Sequence, residues 1–249
     1  MILLAQLSDL HVDGSARAAE RVTRAMDLLR AQPVAPDALI VTGDVANSGA
    51  VAEYEEVLRL TEAAFPVYFC PGNHDERGAF GSVLLGLGAR STDGPINRAY
   101  RVGELTVLMC DSTIPGKDDG LLDEGTLGWI EESLDAVGPG QGAILALHHP
   151  PVPVRVPLAD SMLLQNPDEL ADLLSRRPEV IAVVNGHSHT AAASVLAGKP
   201  VLLGPAVTWT LRLPSQGEPF ADREDAPGVA FHCVEGRSII THFRSAPKR

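Results

Sequence analysis

Short apolar runs alternate with amphipathic stretches along the chain. Six runs have the length and composition of strands: Ile2 to Leu7, Ala38 to Thr42, Val67 to Cys70, Leu105 to Cys110, Ala143 to Leu147 and Val180 to Val184. Between them, Val22, Ala25, Met26 and Leu29 recur at helical spacing, and Leu127, Ile130 and Leu134 do so with one position missing. The order strand, helix, strand, helix predicts parallel pairing under helical cover. From Ala191 onward the apolar runs are split by Gly and Pro, in "SVLAGKPVLLGP" and "GVAFHCVEGRSIITHF", with "EGR" as a hairpin-like break. That change predicts a second, more antiparallel sheet packed on the first. No internal repeat, low-complexity segment or interdomain linker interrupts the pattern. Residues 1–249 therefore read as one α/β domain of two layered sheets with outer helices.

Composition narrows the function classes. The chain carries 32 acidic against 20 basic side chains, a formal charge of -12, which argues against an extended surface for DNA or RNA. An anionic substrate would need a local positive charge to attract it. Cys70, Cys110 and Cys233 are odd in number, far apart and outside any CxxC spacing, as expected of buried thiols in a reducing cytoplasm. The opening "MILLAQLSDLH" lacks a basic leader region and reads as a first strand. No apolar stretch approaches the roughly 20 residues needed to span a bilayer. The expectation is a soluble cytoplasmic protein with neither a membrane nor a nucleic-acid polymer as partner.

The polar residues are placed more informatively. Asp9 and His11 follow the first strand, Asp44 the second, and Asn73, His74 and Asp75 the third. "ALHHPP" and "VVNGHSHT" put His148, His149, His187 and His189 after later strands. These are the C-terminal ends of strands, where α/β sheets open their binding crevices. Each segment alone has an ordinary explanation as turn chemistry: GD and Pro-Gly-Asn are common strand-end turns. HxH after an apolar run favours a metal, because alternate residues of extended chain point the same way. Taken together, carboxylate, imidazole and amide groups on one sheet edge would be costly to bury unpaired, and divalent cations supply the missing charge. Asp9, His11, Asp44, Asn73, His148, His187 and His189 make seven candidate ligands, too many for one ion. If Asp44 bridges, each of two ions receives four. Mixed N/O ligation without thiolate suits Fe, Mn, Zn or Co.

In this order "DLH", "GD", "GNHD", "HHP" and "GHSH" resemble the motif set of the calcineurin-like metallophosphoesterases, from Asp9 to about Trp209. The resemblance implies a four-layer αββα sandwich, two mixed β-sheets flanked by helices, with a dinuclear site at the sheet edge. It assigns Asp9, His11, Asp44 and His189 to one ion, and Asp44, Asn73, His148 and His187 to the other. Strand parity cannot choose between His148 and His149, since both faces of a central strand can be buried; the family pattern selects His148. His149 is then a supporting or substrate-side residue. Asn47 stands where purple acid phosphatases carry an iron-binding Tyr, which argues against that branch. "GNHDERGAF", "HHPPVPV" and "GKPVLLGPAVTWTL" look like the bacterial class III cyclic nucleotide phosphodiesterases and their glycerophosphodiesterase relatives.

The expected reaction is hydrolysis of a small phosphodiester, first of all cyclic AMP to AMP. Two cations can hold an attacking hydroxide and offset charge at both the attacking and leaving oxygens. His74 is the candidate donor of the leaving-group proton, with Asp75 orienting it. Asn73, His74, His149, Arg155 and Trp209 are candidate substrate contacts, whereas His232 and His242 fit ordinary strand positions. Selectivity falls to the loops Val152 to Gln165 and Trp209 to Asp225. The alternatives are a glycerophosphodiesterase, a broad phosphodiesterase or phosphatase, and a non-catalytic metal-binding scaffold. A homodimer is an expectation by analogy only.

Overall fold

A computed structural model describes residues 1–88 and 94–247. In chain order its elements are β1 (Ile2–Leu7), α1 (Ala16–Arg30), β2 (Ala38–Thr42), α2 (Val51–Thr61), β3 (Val67–Cys70), α3 (Arg77–Leu85), β4 (Arg98–Val102), β5 (Leu105–Cys110), α4 (Glu124–Asp135), β6 (Gly142–Leu147), the single turn α5 (Pro157–Asp160), α6 (Pro167–Arg176) and β7 (Val180–Asn185). There follow β8 (Ala192–Leu196), β9 (Lys199–Leu203), the short β10 (Thr210–Leu211) and β11 (Ala221–Asp222), β12 (Gly228–Glu235) and β13 (Ser238–Ser245).

The strands form a five-stranded sheet, β13-β12-β1-β2-β3, and a six-stranded sheet, β4-β5-β6-β7-β9-β8, with β10 and β11 paired separately. Parallel pairing holds within β1-β2-β3 and within β5-β6-β7-β9, with antiparallel strands outside them. Alternation along each strand builds the layers. Leu4 and Ile40 of the first sheet meet Val107, Met109, Ile144 and Val184 of the second in the inter-sheet core. Their neighbours Ala5, Leu7, Leu39 and Val41 face the other way, into a cluster with Val22, Met26 and Leu29 of α1 and Tyr54 of α2. Leu108, Leu145 and Val183 pack likewise against Ile130 of α4 and Leu170, Leu173 and Leu174 of α6. The result is helix, sheet, sheet, helix. Each fully buried Leu, Ile or Val in it contributes about 1.5–3 kcal/mol relative to exposure.

Local signals set the helix starts. Ser15 caps α1 by accepting from the amide of Ala18, and Asp123 caps α4 by accepting from that of Thr126.

The C-terminal third departs from expectation. Apart from the short β10–β11 pair it makes no sheet of its own: β12 and β13 extend the first sheet and β8 and β9 extend the second. The edge of β1 needs a partner, and β12 supplies one in antiparallel register, with Ala5 opposite Phe231. Val229 and Phe231 continue the helix-facing core while Val234 continues the inter-sheet core. Gly236, at a φ of 58°, turns the predicted hairpin between Glu235 and Ser238. Among the described residues no helix is long and apolar enough to cross a membrane.

Candidate metal centre

The loops after β1, β2, β3, β6 and β7 meet at one edge of the sandwich. Backbone bonds tie them together: Asp9 N–H donates to Gly43 O (3.1 Å) and His11 N–H to Asp44 O (2.9 Å) between loops of the first sheet, and Gly186 N–H to His148 O (3.1 Å) between loops of the second. The chain passes too close for a side chain at several points, Gly186 and Gly43 among them. A Cβ on Gly186 would lie 1.8 Å from Ser8 Oγ, and one on Gly43, itself at a φ of 82°, would lie 2.3 Å from His148 Nδ1. Of the seven non-glycine residues with positive φ among those described, five are Asp9, His11, Asp44, His187 and His189. Such backbone persists where surrounding structure over-determines it, and it concentrates at functional sites.

This backbone revises one step of the sequence argument. His187 and His189 are not two apart in extended chain; their φ values are 67° and 46°. Their rings diverge into two different groups of donors. In one group, His189 Nε2 lies 3.4 Å from Asp9 Oδ1 and 3.3 Å from His11 Nε2, and His11 Nε2 lies 3.4 Å from Asp44 Oδ2. In the other, His148 Nε2 lies 3.3 Å from Asp44 Oδ1 and 3.1 Å from Asn73 Oδ1, while His187 Nδ1 lies 3.1 Å from Asn73 Oδ1 and 3.2 Å from His148 Nε2. Asp44 thus gives one oxygen to each group.

The donor atoms fit metal ions. Atoms about 2.1 Å from a shared cation, at octahedral to tetrahedral angles, lie roughly 3.0–3.4 Å apart, which is the spacing within both groups. Asp9, His11, Asp44 and His189 offer ligand atoms within 4.8 Å of one another, all on buried residues. The ring tautomers are prepared as well. His148 Nδ1–H donates to Thr42 O (2.8 Å) and His189 Nδ1–H to Trp209 O (3.0 Å), which directs both Nε2 atoms inward. The buried Nε2 of His187 has no close hydrogen-bond partner.

Charge points the same way. Burial pushes His11 and His189 down to about 4 and His187 to about 3, so these rings stay neutral. Burial also raises Asp9, to about 6. On Asp44 burial works upward, but His148 and His11 outweigh it and hold the carboxylate well below its usual range. On His148 burial works downward, and Asp44 outweighs it, up to about 9. Two carboxylates therefore face one imidazolium, leaving an excess of negative charge for a cation to offset.

The remaining sequence-predicted residues are placed unequally. His74 is exposed, lies T-shaped to His11 at 4.6 Å between ring centroids, and gives Nδ1–H to Asn47 O (2.8 Å). Asp75 does not serve as its orienting partner. Its carboxylate instead accepts from the amides of Val45, Ala46 and Gly72 and from the Tyr54 hydroxyl, because the tight turn at Gly72 folds it back on the β2 loop. His149 is fully buried and outside the residues that line the cleft, its Nδ1 2.8 Å from Ser112 Oγ and its Nε2 3.2 Å from Asp118 O, yet it offers a ligand atom within 4.8 Å of those of His148 and His187. Arg155 is exposed at a φ of 64°, outside the residues that line the cleft. Trp209 lines the cleft and packs on His189 with ring centroids 3.9 Å apart. His232 is fully buried between Thr241 and Gln6. The cleft over the donors holds about 190 Å³ and is also lined by Leu158 and Met162, from the loop Val152 to Gln165 that the sequence assigns to selectivity, and by Asp118, which sequence reasoning missed because it lies in an irregular loop with no periodicity to mark it.

Comparison with known proteins gives a consistent result. Residues 2–191 match the family model "Calcineurin-like phosphoesterase". The chain is 35% identical to a Rhodococcus erythropolis protein named "Probable cyclic nucleotide phosphodiesterase", over 95% of this chain and 81% of that one. It is 30% identical to a glycerophosphodiester phosphodiesterase of Enterobacter lignolyticus, over 76% and 71%. Its fold matches the crystal structure of a dimetal phosphatase from Danio rerio at a TM-score of 0.70 and 13% identity, covering 99% of each chain.

Proposed function

Because the chain belongs to the calcineurin-like phosphoesterase family, we propose that it is a metal-dependent phosphoric diester hydrolase acting on small diesters, foremost 3',5'-cyclic nucleotides such as cyclic AMP. The observation that carries this reading is the pair of donor groups sharing Asp44. Asp9, His11, Asp44 and His189 would hold one cation, and Asp44, Asn73, His148 and His187 would hold a second, from among Fe, Mn, Zn and Co. The apolar layer common to both sheets supports treating residues 1–249 as one catalytic domain. Buried, unpaired Cys70 and Cys110 support a place in a reducing cytoplasm.

When bound, two cations supply Lewis-acid charge to the phosphoryl group and activate water. The chain's own residues do the rest. Thr42 O and Trp209 O hold the imidazoles of His148 and His189 in the ligating tautomer. The Asp75 carboxylate, by gathering three amides, fixes the turn that presents Asn73 and His74. Asn47 O holds the Nδ1 proton of His74, so Nε2 is the atom that passes a proton to the leaving alkoxide. Exposure lets the ring recover that proton from solvent.

The test is a metal-reconstituted panel compared by kcat/KM: cyclic AMP, a 2',3'-cyclic nucleotide, glycerophosphocholine, bis(p-nitrophenyl) phosphate and a monoester. Preference for cyclic AMP is expected. Preference for glycerophosphocholine would favour the second reading, supported by the Enterobacter relative. Preference for the monoester would overturn the diesterase assignment.

A further inference from the structure

The two loops that sequence marks for selectivity meet beside the metal centre and enclose a cleft of about 650 Å³. Pro157 and Leu158 come from the first loop, and Leu213, Pro214 and Phe220 from the second. Beneath them Val156, Ala159 and Leu211 form a small buried cluster of their own, on which Trp209 packs. The wall of this cleft is thus tied to the ring that stacks on His189.

Three features identify what the cleft takes. First, it is apolar and open: Leu158 is 44% exposed, Leu213 42% and Phe220 53%, three of the nine large apolar side chains left exposed among the described residues. Single exposed apolar residues are ordinary, whereas a cluster of them on one cleft marks a binding surface. Second, its polar edge offers no spare charge. Arg212 is bound by the Asp222 carboxylate and the Glu218 carbonyl, and the Glu218 carboxylate accepts from Phe220 N–H. A phosphate gains nothing there. Third, it adjoins the metal cleft: Leu158 lines both. At about 190 Å³ the metal cleft falls below the roughly 300–1,000 Å³ of small-molecule sites. A substrate whose phosphoryl group sits on the donors must extend beyond it. The groove on the far side of His74 is the other exit, but it carries Glu76 and Arg77 and is the more polar of the two.

We infer that the cleft between Leu158, Leu213 and Phe220 is the subsite for a flat aromatic group of the substrate, the purine base when that substrate is a cyclic nucleotide. The inference rests on the diesterase reading above. Phe220 supplies the exposed ring; Trp209 already packs on His189.

The test uses the metal-loaded full chain and the variants Phe220→Ala and Leu213→Ser, both at exposed positions. Calorimetry compares binding of AMP with that of ribose 5-phosphate, which lacks the base. Wild type should bind AMP at least about tenfold more tightly, the low end for burying an aromatic group. Each variant should lose most of that advantage while binding ribose 5-phosphate as wild type does. Equal binding of the two ligands by wild type, or an advantage that survives both substitutions, would overturn the inference. So would equal loss of both ligands, which signals a damaged metal centre, or a dimer-to-monomer shift in sedimentation with the AMP advantage intact. Turnover of bis(p-nitrophenyl) phosphate by wild type reads the diesterase assignment separately: base-dependent binding without turnover keeps the subsite and removes the reaction.

Discussion

Asp44 places Oδ1 3.3 Å from Nε2 of His148. Its other oxygen lies 3.4 Å from Nε2 of His11, so one carboxylate belongs to both donor groups. Asp44→Ala should therefore empty both positions together, whereas Asn73→Ala, at a residue that meets His148 and His187, should empty one. Elemental analysis after reconstitution decides: retention of two metals per chain by Asp44→Ala contradicts the shared carboxylate.

Removing a proton donor should leave the ions in place. His74 Nδ1 meets Asn47 O rather than any of the seven donor atoms. His74→Ala is expected to keep its metal content and to lower kcat on an alkyl diester about 10²-fold or more. With a p-nitrophenyl leaving group, which needs no proton, the loss should be much smaller. Equal loss on both substrates would remove His74 from protonation.

His232 gives a pH dependence separable from the metal centre. Burial lowers its imidazole to about 4, and it sits neutral between Thr241 and Gln6. The unfolded chain binds the proton near the ordinary value of 6.5. Stability from this group is therefore complete above that value and falls as pH drops from about 6.5 to about 4, by up to about 3 kcal/mol. Denaturant midpoints across that range should slope less steeply for His232→Gln than for wild type.

Gly186→Ala should fail structurally. The added Cβ would lie 1.8 Å from Ser8 Oγ and 2.6 Å from Thr42 O. We expect a loss of about 1–3 kcal/mol together with impaired metal uptake, the range for forced overpacking. Ser8→Ala removes only the first clash, so the double variant should not recover wild-type stability in thermal melts.

Much of the fold was legible because parallel strands buried on both faces announce themselves as unbroken apolar runs: β1, β2, β3 and β5 begin and end where the runs do. The helix α6 shows Leu170, Leu173 and Leu174 at helical spacing, yet the reading passed over it. Strand order was not legible at all, since nothing local tells β12 to lie beside β1. At the site, side-chain chemistry was visible and backbone chemistry was not. The carbonyls of Thr42, Asn47 and Trp209 each receive an imidazole proton, and a carbonyl leaves no mark in a sequence. Asp75 was misjudged for the same reason: its partners are main-chain amides.

Asp9, His11, Asp44 and Asn73 descend from the first sheet, and His148, His187 and His189 from the second. The centre therefore works as a caliper across the sandwich, its jaws set by the thickness of the layer that includes Leu4, Ile40, Met109 and Ile144. A buried methyl group removed far from any phosphate can then alter turnover, by letting the jaws close or shift.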